Sequence, residues 1–182
     1  MDLFNESRGR KIHTRTIEVD TYEHDEERLL VEGTLKDRGH QEYYLETGER
    51  REAGIIHHIV IRFLMNVSSL VIEDIGVNMI TVPREQCLET ISSLESVKGM
   101  RIAAGFTVKI KELAGGIRGC SHLVALLTSM APAAVQAYGV YQLQKPFDQG
   151  SPTENMFEFI IDTCRTWRKD GPLVKGYLDS GR

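Results

Sequence analysis

From Ile55 to Met65 the chain alternates without a break: His57, Ile59, Ile61 and Phe63 fall on one side of an extended backbone, and His58, Val60, Arg62 and Leu64 on the other. Side chains on a strand point to opposite faces with a period of two, so this run predicts a half-buried strand and commits the fold to a sheet. Leu70 to Met79, after the turn at Asn66 to Ser69, is expected to return as its partner. Arg28 to Lys36 repeats the pattern with Leu29, Val31, Gly33 and Leu35 on one face, and Arg10 to Val19 is rich in Ile, Thr and Val. An antiparallel meander follows, with the acidic run Glu23 to Arg28 as a solvated turn. The Tyr43-Tyr44-Leu45 patch within Gly39 to Gly54 reads equally as a short edge strand or a loop.

Beyond residue 80 the period changes. Thr81-Val82-Pro83 has the form of a helix start, with Cys87, Ile91, Leu94 and Lys98 near one stripe and Gly99 as the stop. Ile102, Phe106, Ile110 and Leu113 predict a second helix closed by Gly115-Gly116, and a third runs from Ser121 through Leu123, Leu126, Leu127 and Met130, where Pro132 should kink or restart it. Lys145 to Pro152 reads as a loop. Ser151 to Glu154 has the spacing of a capping box, and Met156, Ile160, Cys164 and Trp167 predict a last helix ending near Gly171, with a short tail after it. Strands first and helices second make an α+β fold: an antiparallel β-meander of four or five strands with helices packed on one face. At 182 residues the chain is expected to be a single domain, 1–182.

Charge narrows the function classes. The formal net charge is -4, and residues 1–52 hold 14 Asp/Glu against 9 Lys/Arg, so the chain lacks the cationic excess that a nucleic-acid or anionic-membrane partner demands. The stretch Leu123 to Tyr141 approaches the roughly 20 residues of a membrane span, but Thr128, Ser129, Pro132 and Gln136 interrupt it and suit a buried helix better. Met1 to Lys11 carries no apolar segment of the signal-peptide kind. With three cysteines, too few and odd in number for a disulfide framework, these features lead us to expect a cytoplasmic protein.

The densest chemical signal is Gly115-Gly116-Ile117-Arg118-Gly119-Cys120-Ser121-His122-Leu123. Glycines aim Cys120 at the first turn of a helix, where unpaired N–H groups and the positive dipole end favour thiolate, both the nucleophilic and the metal-binding form of cysteine. His122 stands two residues on, as a second ligand or a base. A small buried thiol beside a locally bonded histidine would read the same way. His57 lies on the apolar strand face, turned toward the helical layer, and Cys87 on an apolar stripe near a helix start; taken singly, each is also an ordinary core position. Cys164, between Ile160 and Trp167, reads as core.

The order of these parts resembles the iron-sulfur cluster scaffold proteins of the IscU/NifU type from about Ile56 to Tyr138: a strand hairpin containing Val71-Ile72-Glu73-Asp74, Cys87 where that family has its second ligand, and Cys120 in the last ligand segment. The family's first cysteine has no equivalent, and His57 lies near its position. The chain also resembles an uncharacterised bacterial domain of unknown function, of the DUF 2889 type. It does so through His57-His58-Ile59, Cys87, Val97 to Phe106, the Gly-Cys-Ser-His-Leu run at Gly119 to Leu123, and Ala134-Val135-Gln136. That likeness implies weight on Cys120 and His122 and names no activity.

Three functions follow as expectations. A metal or cluster site of His57, Cys87, Cys120 and His122 would suit zinc or an iron-sulfur unit. Alternatively Cys120 is a thiolate nucleophile in thiol or acyl transfer, with His122 or His57 as base. In the third reading these residues fill a core, and the Tyr43-Tyr44 region or the Trp167 segment meets a protein partner.

Overall fold

The structure, a computed structural model, describes residues 3–144 and 160–179. Four strands, β1 (His13–Glu23), β2 (Arg28–Gly39), β5 (Gly54–Asn66) and β6 (Ile72–Thr81), form an antiparallel sheet in the order β1-β2-β5-β6. Between β2 and β5 the chain makes a separate two-stranded ribbon, β3 (Tyr43–Tyr44) with β4 (Arg50–Arg51). Tyr43-Tyr44 is therefore a strand, though not one of the main sheet. The Glu23 to Arg28 turn is held by Asp25, whose carboxylate accepts from the Glu27 N–H at 3.0 Å and from the Arg28 guanidinium. The structure is α+β, as the change of period implies.

The alternation of β2 is carried through in burial. Leu29, Val31, Gly33, Leu35, Asp37 and Gly39 are buried, and the residues between them are more exposed. In β5 the same face carries Ile59, Ile61, Phe63 and Met65, each at most 1% exposed. Helix α2 (Ser121–Leu143) covers that face: a Cβ placed on Gly33 would overlap Met130 and press on Leu126. Leu123, Leu126, Leu127 and Met130 are fully buried in a helix that is, by length and composition, apolar enough to cross a bilayer.

Several expectations are corrected. The strand expected from Leu70 starts at Ile72, because Leu70 sits at φ 54, outside any extended conformation. The segment after Pro83 is a 3-10 stretch, Glu85–Val97, rather than an α-helix; with three residues per turn its buried positions are Leu94 and Val97. Ile102 lies before helix α1 (Phe106–Ala114), separated from it by Gly105 at φ 86. Pro132 does not restart the helix: it stands on the exposed side of α2, which runs unbroken from Ser121 to Leu143.

Contacts within the chain group it into two units, Met1–Ala133 and Ala134–Arg182. In the second, residues 161–171 form turns rather than the end of a helix, with Asp162 at φ 63 and its carboxylate accepting from the Lys169 N–H at 2.8 Å. Cys164 is exposed there, not core, and helix α3 (Pro172–Asp179) replaces the expected tail. The predicted loop at 145–152 and the capping box at 151–154 lie outside the described residues, as does Met156.

Candidate functional site

The sheet's inner face changes character at one end. Ile17, Leu35 and Ile59 stand opposite one another across β1, β2 and β5, and two residues further on each strand Arg15, Asp37 and His57 do the same. An apolar row is thus followed directly by a charged one. The register of β2 and β5 shifts just past Asp37, leaving Ile56 as an extra residue, a bulge of the sort that re-aims a strand beside a site. Helix α2 starts over this end of the sheet, with Cys120 immediately before it and His122 in its first turn.

Asp37 is the centre. It is 2% exposed, and among the described residues it is the buried charged side chain. Arg15 grips it with two parallel bonds, Nε to Oδ1 at 2.7 Å and Nη2 to Oδ2 at 2.8 Å, the fork geometry in which guanidinium binds carboxylate most tightly. These bonds hold the Asp37 carboxyl below its ordinary value; burial opposes them, and the charges of Arg15, His122 and His57 add to the lowering. Asp37 is accordingly an anion at neutral pH.

Three histidines approach this anion. His13 Nε2 lies 3.4 Å from Oδ1, while His57 Nδ1 and His122 Nε2 lie 3.2 and 3.3 Å from Oδ2. The rings of His57 and His122 stack with centroids 3.9 Å apart and a 30° tilt. His57 Nδ1 is buried without an aligned hydrogen bond. Burial pushes the His57 pKa down, against the pull of Asp37.

The other nitrogen of His122 faces the thiol: Cys120 Sγ lies 3.6 Å from His122 Nδ1. Burial raises the Cys120 pKa, but the His122 side chain and the backbone N–H groups of Leu123 and His122 outweigh it, so the thiol sits below its ordinary value. The structure therefore contains a continuous chain of contacts, Cys120 to His122 to Asp37 to Arg15, that begins at a half-buried thiol and ends at a half-exposed guanidinium.

Of the four residues singled out from sequence, His57, Cys120 and His122 meet at this site. Among the described residues the group whose ligand atoms all lie within 4.8 Å of one another is Asp37, His57 and His122, a set that can hold a metal ion and that includes neither cysteine. Cys87 lies on the 3-10 stretch in line with Thr90 and Ser93. Ser93 is the residue that would collide with a Cβ on Gly119, and Cys87 is six residues before it, about 12 Å along a 3-10 axis.

No sequence pattern ties Asp37, Arg15 or His13 to this site, though all three belong to it. Asp37 is the next inward position after Leu35, one step past the expected strand end. Residues 13–136 match the family described as "Protein of unknown function (DUF2889)". The chain belongs to that family. The matched span contains every residue of the site, from His13 to His122, and the family's description assigns none of them a role. Neither a curated protein nor a solved structure matches the chain.

Proposed function

We propose that Cys120 is a thiolate nucleophile that takes an acyl group from a substrate, with His122 as its base and Asp37 as the group that orients His122. The observation that carries this reading is His122 between two partners, the thiol 3.6 Å from Nδ1 and the carboxylate 3.3 Å from Nε2. Nucleophile, base and orienting group in that order are the parts that activate a weak nucleophile. Arg15 completes the set by fixing Asp37 as an anion.

The step balances within these residues. His122 Nδ1 holds the thiol proton while Sγ bonds to the acyl carbon; the bond from that carbon to the leaving group breaks, and the proton passes to the leaving group. An acceptor, water or another nucleophile, then loses a proton to His122 as it displaces Cys120. Treatment with p-nitrophenyl acetate tests this. We expect an acetyl group on Cys120, none in Cys120→Ser, and a rate lower by about 10²-fold or more in His122→Ala. An unmodified Cys120, or a His122→Ala protein as fast as the wild type, would contradict the proposal.

A second reading, metal binding, rests on the orphaned His57 Nδ1. With Asp37 Oδ2 it is separated by 3.2 Å, and His122 Nε2 by 3.3 Å from the same oxygen, spacings that suit ligands of one tetrahedral ion at bonds of about 2.0–2.1 Å. The nitrogen and oxygen donors suit zinc, whose chemistry would be that of a Lewis acid; an iron-sulfur cluster, held by thiolates, does not fit them. Two observations rank this reading second. Arg15 already neutralises Asp37, and an ion must lie in the plane of each ring it binds, which the tight stack of His57 on His122 opposes. Metal analysis of untagged protein separates the two: stoichiometric zinc lost in His57→Ala would favour the metal, and metal-free protein that still acylates Cys120 would favour the thiolate.

A further inference from the structure

On the side of α2 turned away from the sheet lies a groove of about 690 Å³, within the size range of small-molecule sites. It runs between the end of α1, the 3-10 turn Gly116–Arg118 and the first two turns of α2. Lys111 and Arg118 enter it from different elements, and its wall is apolar, with Val124 and Ala125 from α2 and Ile117 from the turn. Ile117 is wholly exposed at the mouth of the groove.

Charge gives the groove its preference. Neither Lys111 nor Arg118 appears in any ion pair among the described residues, whereas the neighbouring Lys109 reaches Glu112 and Lys98 reaches Asp74. Residues 101–128 carry Arg101, Lys109, Lys111 and Arg118 against the single acid Glu112, in a chain whose formal net charge is -4. The cationic end is thus local and runs against the trend of the molecule.

The walls are also set in place. A Cβ on Gly115 would run into the Lys111 carbonyl, and one on Gly119 would come within 2.5 Å of the Ala114 carbonyl and 2.8 Å of Ser93 Oγ, so the loop lies pressed against the end of α1. The backbone that lines the groove is thus fixed before a ligand enters, which lowers the ordering cost of binding.

We propose that this groove binds a small amphiphilic anion, its apolar body on Ile117, Val124 and Ala125 and its phosphate or carboxylate group between Lys111 and Arg118. The groove is separate from the Cys120 sulfur contacts, so the inference stands whether or not Cys120 is a nucleophile.

Amide NMR titration of the full chain with phenyl phosphate, benzoate and the uncharged benzyl alcohol tests it. We expect saturable shifts at Gly115, Gly116, Arg118 and Ser121 with at least one anion and none with the alcohol. Lys111→Ala and Arg118→Ala should each weaken binding by roughly tenfold, with the sheet amides unmoved as the check on folding. Binding of phenyl phosphate alone would assign the groove to a phosphorylated ligand, and binding of benzoate to a carboxylate. Absence of saturation with both anions, equal binding of the alcohol, or unchanged affinity in the Lys111→Ala, Arg118→Ala double variant would overturn the inference.

Discussion

Asp37 and His57 stand in the same row, and both weaken the fold as pH falls, starting from different pH values. Asp37 has a folded pKa below its ordinary 3.8, so its contribution to stability is complete above that value and is lost as pH falls toward the lower folded value. His57 is also lowered, from 6.5, which means the unfolded chain takes up its proton first; stability therefore declines as pH falls below 6.5 and levels only at the lower folded value. Urea unfolding at graded pH should show the upper limb shrink in His57→Gln, the remainder belonging to His58, whose pKa burial also lowers, and persist in Asp37→Asn. At neutral pH Asp37→Asn should cost about 2 kcal/mol, between the values for exposed and buried pairs because Arg15 is 40% exposed. An unchanged midpoint would mean that the Arg15 fork adds nothing to stability. At this scale the sequence was partly readable. Placing the β1–β2 turn at Glu26 sets Arg15 opposite Asp37, and the alternation Leu29, Val31, Gly33, Leu35 points Asp37 inward. The contact of Asp37 with His57 was not readable, since 19 residues, a separate ribbon and a bulge lie between them.

Elements that obey one period were legible, and those that break it were not. The strands β2 and β5 follow from alternation, and the start of α2 from the glycines before it. The 3-10 stretch Glu85–Val97 was read as α-helix because Cys87, Ile91, Leu94 and Lys98 fit 3.6 residues per turn nearly as well as Ile91, Leu94 and Val97 fit three. Leu70 and Asp162, at positive φ, cut their segments at points that no hydrophobic pattern marks. Close approach supplies the predictions here. Gly33→Ala should destabilise the protein by about 1–3 kcal/mol, because the added methyl overlaps Met130 and only part of that long side chain can yield. Gly119→Ala meets backbone at Ala114 instead and should be more damaging, with slower modification of Cys120 even under conditions where the protein stays folded. Thermal melts and alkylation rates of both variants check this order; a harmless Gly119→Ala would show that the loop is free to move.

For the molecule as a whole, the sheet places strand ends and a helix start at one margin of the core, so that an apolar interior closes on a charged row. The arrangement gives Cys120 three stabilising neighbours of its anionic form, His122 and the N–H groups of residues 122 and 123. In the proposed chemistry the Cys120 thiolate depends on His122, which in turn depends on Asp37. The most direct measurement of this dependence is the rate of Cys120 alkylation by iodoacetamide from acid to alkaline pH, in wild type, His122→Ala and Asp37→Asn. The wild-type midpoint is expected below the free-thiol value of about 8.5, raised in His122→Ala and shifted in Asp37→Asn. A wild-type midpoint at or above that value, or one that neither substitution moves, would contradict this dependence.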